Sequence, residues 1–161
     1  MAVEIFLKLD GVTGGSRNYH HSGWGDVLGW HWTLERVPAP MAGSPAVEMN
    51  EITLTKALGI DSPALMTLLA EGRTVANAKL DIVPVVGKRE AQQKYVSMSF
   101  DDVTVQSIRV GGTTEESASA EQITLRFARV RFEFHHQGAP AADGKAASSD
   151  IHSFESDTHA A

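Results

Sequence analysis

The residues of this 161-residue chain that first suggest chemistry are seven histidines, two adjacent carboxylate pairs and three tryptophans. The histidines fall at His20–His21, His31, His135–His136, His152 and His159. A zinc-type site needs three or four imidazole nitrogens or carboxylate oxygens converging on one point. Neighbouring residues on a strand point to opposite faces, so neither histidine pair is a ready-made chelate. A metal site would have to be assembled from separate segments, with a carboxylate such as Asp26 nearby. The other reading is surface and loop histidines. The pair Asp101–Asp102 meets the same objection as an acid–base couple, because two catalytic carboxylates must face one substrate. It reads as one solvated aspartate beside one that breaks a strand. Glu115–Glu116 lies in "GGTTEESASAE" and reads as solvating charge in a loop.

The chain has no cysteine, which removes thiol nucleophiles, thiolate metal sites and disulfides. It contains no G-x-S-x-G elbow, no H-E-x-x-H helix, no phosphate-binding G-x-x-x-x-G-K-[ST] and no G-x-G-x-x-G between a strand and a helix. No catalytic residue, metal ligand or cofactor is assigned, and the chain is read as a protein that is not an enzyme.

The tryptophans concentrate in "DVLGWHW", residues 26–32. With period two, Leu28, Trp30, Trp32 and Leu34 share one face, and Val27, Gly29, His31 and Thr33 share the other. A tryptophan pair can stack a sugar or a base, but large indoles flanked by leucines favour a core, with His31 pointing away from it. Trp24, between Gly23 and Gly25, is the tryptophan left as a candidate for the surface.

The same alternation runs through most of the sequence. "VEIFLKL" puts Val3, Ile5, Leu7 and Leu9 on one face and Glu4 and Lys8 on the other, with Phe6 as an apolar residue on the outer face. "EITLTK", "VANAKLDIVPV" and "YVSMSF" read as strands. In "DDVTVQSIRV" the apolar positions change parity near Gln106, which predicts a β-bulge. "QITLRFARVRFEFHH" changes parity near Ala128, through either a bulge or a passage to a different packing environment. One segment is helical. In "GIDSPALMTLLAEGR", Ser62 suits the N-cap, Pro63 the first helical position and Gly72 the left-handed residue after the end. Leu65, Leu68 and Leu69 form its buried stripe. "RVPAPMAGSPAVEMN" is a long proline-rich loop, too long for a simple connector. From residue 138 the sequence is small and polar, a weakly ordered tail. The expectation is a mainly β protein, a small barrel or sandwich of seven to nine strands with one short docked helix, over residues 1–137, followed by the tail 138–161.

Net charge is −6, and the one dense basic run, "RFARVR", alternates with apolar residues, so no nucleic-acid partner is expected. No apolar run is long enough to span a membrane, and "MAVEIFLKLDG" does not read as a cleaved leader.

Taken in order, "FLKLDGVTGGS", "DVLGWHW", "ITLTK…SPALMTLLAEGR…AKL" and "LRFARVRFEFHHQG…DGK" resemble the Hcp family, the tube proteins of the type VI secretion system. The resemblance implies a small β-barrel that assembles as a hexameric ring. Such rings stack into a tube inside a contractile sheath, behind a spike protein, and carry effector proteins in the lumen. It implies a protein that is cytoplasmic before firing and exported without a cleaved signal peptide. In such a ring, Gly29, His31 and Thr33 are candidates to face the lumen. The loop carrying Pro38, Pro40, Met41, Gly43 and Pro45 is the candidate for ring stacking, and Phe6 for a subunit interface. A monomeric β-barrel binding a ligand through Trp24 and nearby histidines is the alternative. A histidine-based metal enzyme is a third reading.

Overall fold

The protein is described by a computed structural model covering residues 2–38, 46–85, 95–115, 119–137 and 149–158. Pro40, Met41, Gly43 and Pro45 therefore lie outside the described residues. Pro38 is exposed and follows a strand directly.

Eleven strands and one helix are present among the described residues: β1 (Val3–Leu9), β2 (Gly25–Val27), β3 (Gly29–Trp32), β4 (Glu35–Val37), β5 (Ala46–Glu48), β6 (Glu51–Ala57), α1 (Ser62–Glu71), β7 (Thr74–Pro84), β8 (Val96–Gly111), β9 (Ala120–Arg126), β10 (Arg129–Gln137) and β11 (Ser149–Asp157). All pairings are antiparallel. The main sheet runs β2-β1-β7-β8-β9-β6-β3. Its two ends belong to one chain segment, because β2 and β3 are separated by Leu28 alone. The Leu28 N–H donates to Thr55 O at 2.7 Å, so the sheet is rolled until its ends meet at that residue. The break turns Leu28 outward, 68% exposed, and Leu34 lies beyond the end of β3 at 49%. Neither joins the tryptophans in the core, as strict alternation had predicted.

Trp30 and Trp32 do share the inner side. Both are half-buried and packed against the core, and the Trp32 indole N–H donates to Met49 O at 2.7 Å. The centre of the roll is filled by Leu54, Leu80, Met98, Ile123 and Leu125, all essentially inaccessible to solvent.

The two parity changes have separate causes. Opposite β9, Val105 and Ser107 pair with consecutive residues, leaving Gln106 as the extra residue of a bulge. At Ala128 the strand changes neighbours. β9 and β10 follow one another along the same edge of β8, but β9 lies beside β6, whereas β10 lies beside β11. The facing residue of β8 at this junction, Asp102, has φ of 53°, a left-handed conformation that aspartate tolerates better than most residues. It does not break the strand, as had been expected of one member of the Asp101–Asp102 pair: β8 runs through it from Val96 to Gly111.

The helix begins one residue earlier than its sequence suggested. Asp61 is the N-cap, without a side-chain cap bond, and Ser62 is already helical. Gly72 ends it with φ of 60°, and the Gly72 and Arg73 N–H groups donate to Leu69 O and Leu68 O. Leu65 and Leu68 are buried and Leu69 half-buried, facing the sheet.

Part of the expected tail is ordered. Residues 149–157 form β11, a nine-residue partner of β10. Polar composition hid it, because an edge strand needs few apolar side chains. Phe154 sits opposite Phe132, with its ring centroid 6.4 Å from that of Trp32. At the far end the Arg129 Nε–H donates to Asp157 Oδ1 at 2.5 Å, and this carboxylate raises the guanidinium pKa still further. The pair is exposed, so it fixes register more than it adds strength.

Candidate functional site

Three polar groupings stand out. The first is a wall on the solvent side of the rolled sheet. In β3, His31 pairs with Thr53 of β6, which pairs with Thr124 of β9, which pairs with Ser107 of β8. One row along lie Gly29, Thr55, Gln122 and Arg109 in the same order. Thr53 and Thr124 join their hydroxyls at 3.3 Å. His31 and Thr33 are exposed and Gly29 half-buried, so the three residues expected on this face do lie on it. Beside His31 an open depression of about 240 Å³ is lined by Thr33, Glu35, Glu48, Glu51 and Thr53 among others. Glu35 and Glu48 are direct partners in the β4–β5 hairpin, which holds the two ends of the proline-rich loop together.

The second grouping lies on the other face of the β1–β7–β8 ladder. Phe6, Asp81 and Ser97 fall in one cross-strand row, and the segment 12–24 folds over it. His21 caps the row. Its Nε2 is 2.9 Å from Asp81 Oδ2, and Ser97 Oγ donates to Asp81 Oδ1 at 2.7 Å. All four residues are buried. The serine bonds the aspartate and not the imidazole, so this is not the relay of a serine nucleophile, whose hydroxyl must meet the base. Phe6 is 3% exposed. It does not stand on the outer face awaiting a neighbouring subunit, and the reason for placing it at an interface is thereby removed. Alternation along β1 was read correctly; the 12–24 cover, which strand periodicity does not reveal, buries the second face. Trp24 belongs to this cover. It is half-buried and meets His21 edge-on at 4.8 Å.

The third grouping was not foreseen. Lys56 Nζ donates to Asp61 Oδ1 at 2.9 Å, to Ala57 O at 2.9 Å and to Glu121 Oε1. Ser62 Oγ donates to Glu121 Oε1 at 2.9 Å and accepts the Gly59 N–H. Lys56, Asp61, Ser62 and Glu121 are at most 4% exposed. The signal was present in the sequence. Lys56 is in phase with the buried Ile52 and Leu54, and Glu121 with Ile123 and Leu125, so both charges had to enter the core, where a charge needs a partner. Gly25 completes the contact, since a Cβ there would lie 2.7 Å from Asp61 Oδ2.

The remaining histidines do not converge. His20, His136 and His152 are exposed, as is Asp26, and His159 lies outside the described residues. Among the described residues no three metal-ligating side chains come together. No helix among them is long and apolar enough to cross a membrane.

The family described as "Type VI secretion system effector, Hcp" matches residues 6–134. The chain is 31% identical over 146 residues to "Protein hcp1" of Pseudomonas aeruginosa, covering 88% of this chain and 89% of that protein. Its fold is similar to that of Hcp1 from Salmonella typhimurium, with a TM-score of 0.74 and 25% identity over 96% of this chain and 95% of that one. A structure described as that of a type six secretion system protein superposes with a TM-score of 0.77 at 24% identity, over 92% of each chain.

Proposed function

This chain belongs to the Hcp family of type VI secretion system proteins, and from that premise we propose that it is a tube subunit. Six copies close into a ring, and rings stack into a tube within a contractile sheath and behind a spike protein. Effector proteins travel in the lumen, and the subunit leaves the cytoplasm with the tube. The observation that carries this reading is the two-sided sheet. One side of β3, β6, β9 and β8 is spent on the core, and the other presents His31, Thr53, Thr124 and Ser107 as a continuous polar wall. A wall of short hydroxyls with a histidine row suits a wet channel that grips passing proteins weakly and repeatedly. The strands that flank the proline-rich loop, β4 and β5, lie next to that wall, and we assign the loop the role of reaching an adjacent ring.

A monomeric ligand-binding barrel is less well supported. The interior of the roll is packed with aliphatic side chains, and Trp24 is engaged by His21 and by Lys8, whose Nζ lies 5.9 Å from its ring. Light scattering coupled to size exclusion separates the two readings. A sixfold mass with ring images in negative stain is expected; a monodisperse monomer at high concentration would reject the tube subunit.

A further inference from the structure

The buried Lys56–Asp61–Glu121 grouping has the composition of a self-condensing site. We propose that Lys56 and Asp61 become joined by an intramolecular amide bond, with Glu121 as the proton carrier. This goes beyond the tube reading and does not depend on it.

The geometry supplies each part. The nucleophile, Lys56 Nζ, is 2.9 Å from Asp61 Oδ1. The same Nζ bonds Glu121 Oε1, whose side chain is 0% exposed. The other oxygen, Glu121 Oε2, is buried with no hydrogen-bond partner among the described residues, so it is available to take and return a proton. Two carboxylates share one ammonium here, which leaves a buried charge in excess and a desolvation cost. Condensation exchanges the Lys56–Asp61 ion pair for a neutral amide, and exclusion of bulk water disfavours hydrolysis. Position is held from both sides: β6 ends at Ala57, α1 starts at Ser62, and Gly25 and Gly59 crowd the Asp61 carboxylate. Fixed proximity of this kind makes an otherwise slow bimolecular reaction effectively unimolecular.

The step balances without any oxidant or co-reactant. A proton from the Lys56 ammonium passes through Glu121 to the Asp61 carboxylate. The free amine adds to Asp61 Cγ, forming the Nζ–Cγ bond. Glu121 then takes a second proton from Nζ and delivers it to the departing oxygen. The Cγ–O bond breaks and water leaves. Ammonium plus carboxylate becomes amide plus one water, and Glu121 ends as it began.

The test is the mass of the full-length denatured chain followed by tryptic mapping. The expected mass is lower than that of the encoded chain by one water, about 18 Da. Trypsin should fail to cut after Lys56, giving residues 37–73 as one peptide short of one water, in place of 37–56 and 57–73. Glu121→Gln should fold, as judged by circular dichroism, but convert at least tenfold more slowly, and Asp61→Ala should keep the full mass. A full-mass wild type that is cut after Lys56, both fresh and after days at 37 °C, overturns the proposal and leaves a saturated ion cluster. A loss of one water with normal cleavage after Lys56 also overturns it, since that marks cyclisation of Asp61 onto its own backbone.

Discussion

Phe6 and His21 lie face to face, with ring centroids 4.3 Å apart and planes within 9°. This contact ties the 12–24 cover to β1, and it makes Phe6 a residue of the subunit's own fold. Phe6→Ala is expected to lower the unfolding free energy by about 3–5 kcal/mol, the range for a buried aromatic. Urea denaturation followed by circular dichroism reads this directly. An unchanged midpoint, with loss of the ring alone, would return Phe6 to the interface.

Removing the histidine tests the other half of the pair. His21→Ala removes one hydrogen-bonding partner of the buried Asp81, and losing a partner of a buried polar group costs about 1–3 kcal/mol. The Asp81→Asn, His21→Gln double variant should recover part of that loss, because two amides can hydrogen-bond each other where the imidazole and the carboxylate did. A double variant no more stable than His21→Ala would show that packing of the ring, not its pairing with Asp81, is what matters.

The outer strand β11 offers a third measurement. Phe154 is 42% exposed, so Phe154→Ala is expected to cost about 1 kcal/mol, well below the value for a fully buried ring. The same change uncovers Trp32, and its fluorescence should shift to the red. Constant emission would place Phe154 away from the indole in solution.

On the polar wall, His31→Glu is expected to leave the ring intact, because His31 is exposed on the solvent side of the sheet, and to alter effector retention in a pull-down. Trp30→Ala should act on the fold instead, by about 2–3 kcal/mol for a half-buried indole. Equal retention of every tested effector by His31→Glu rings would remove the wall from the lumen.

Deleting residues 39–43 should preserve rings and abolish stacked tubes, scored by negative stain. The β4–β5 hairpin keeps the two ends of the loop in place, so the shortened connection still closes. Tubes of normal length from this variant would assign stacking to another surface.

Period-two alternation made most strands legible, and the Ser-Pro and Gly signals found the helix to within a residue. What escaped shares a physical cause. Alternation reports which side of a strand is apolar, and says nothing of what covers the opposite side. Phe6 and Asp81 are buried on that opposite side, so Phe6 was read as exposed and Asp81 was not singled out. Leu28 was misplaced because a one-residue interruption between two strands is invisible to a repeat. β11 was read as a tail because an edge strand paired once needs little hydrophobicity. Lys56 and Glu121 were legible in principle: charged residues in phase with core aliphatics have to find each other.

The meeting of the sheet's two ends at Leu28 makes folding depend on non-local contacts. Residues 25–32 can hold β1 and β6 together only in a roll that also contains the β1–β7 and β6–β9 ladders, contacts between segments far apart in sequence. Such non-local closure places refolding in the millisecond-to-second range, and Trp30 and Trp32 sit in the strand that closes the roll. Their fluorescence is then a stopwatch for completion of the subunit, recording the moment at which the polar wall first exists as a continuous surface.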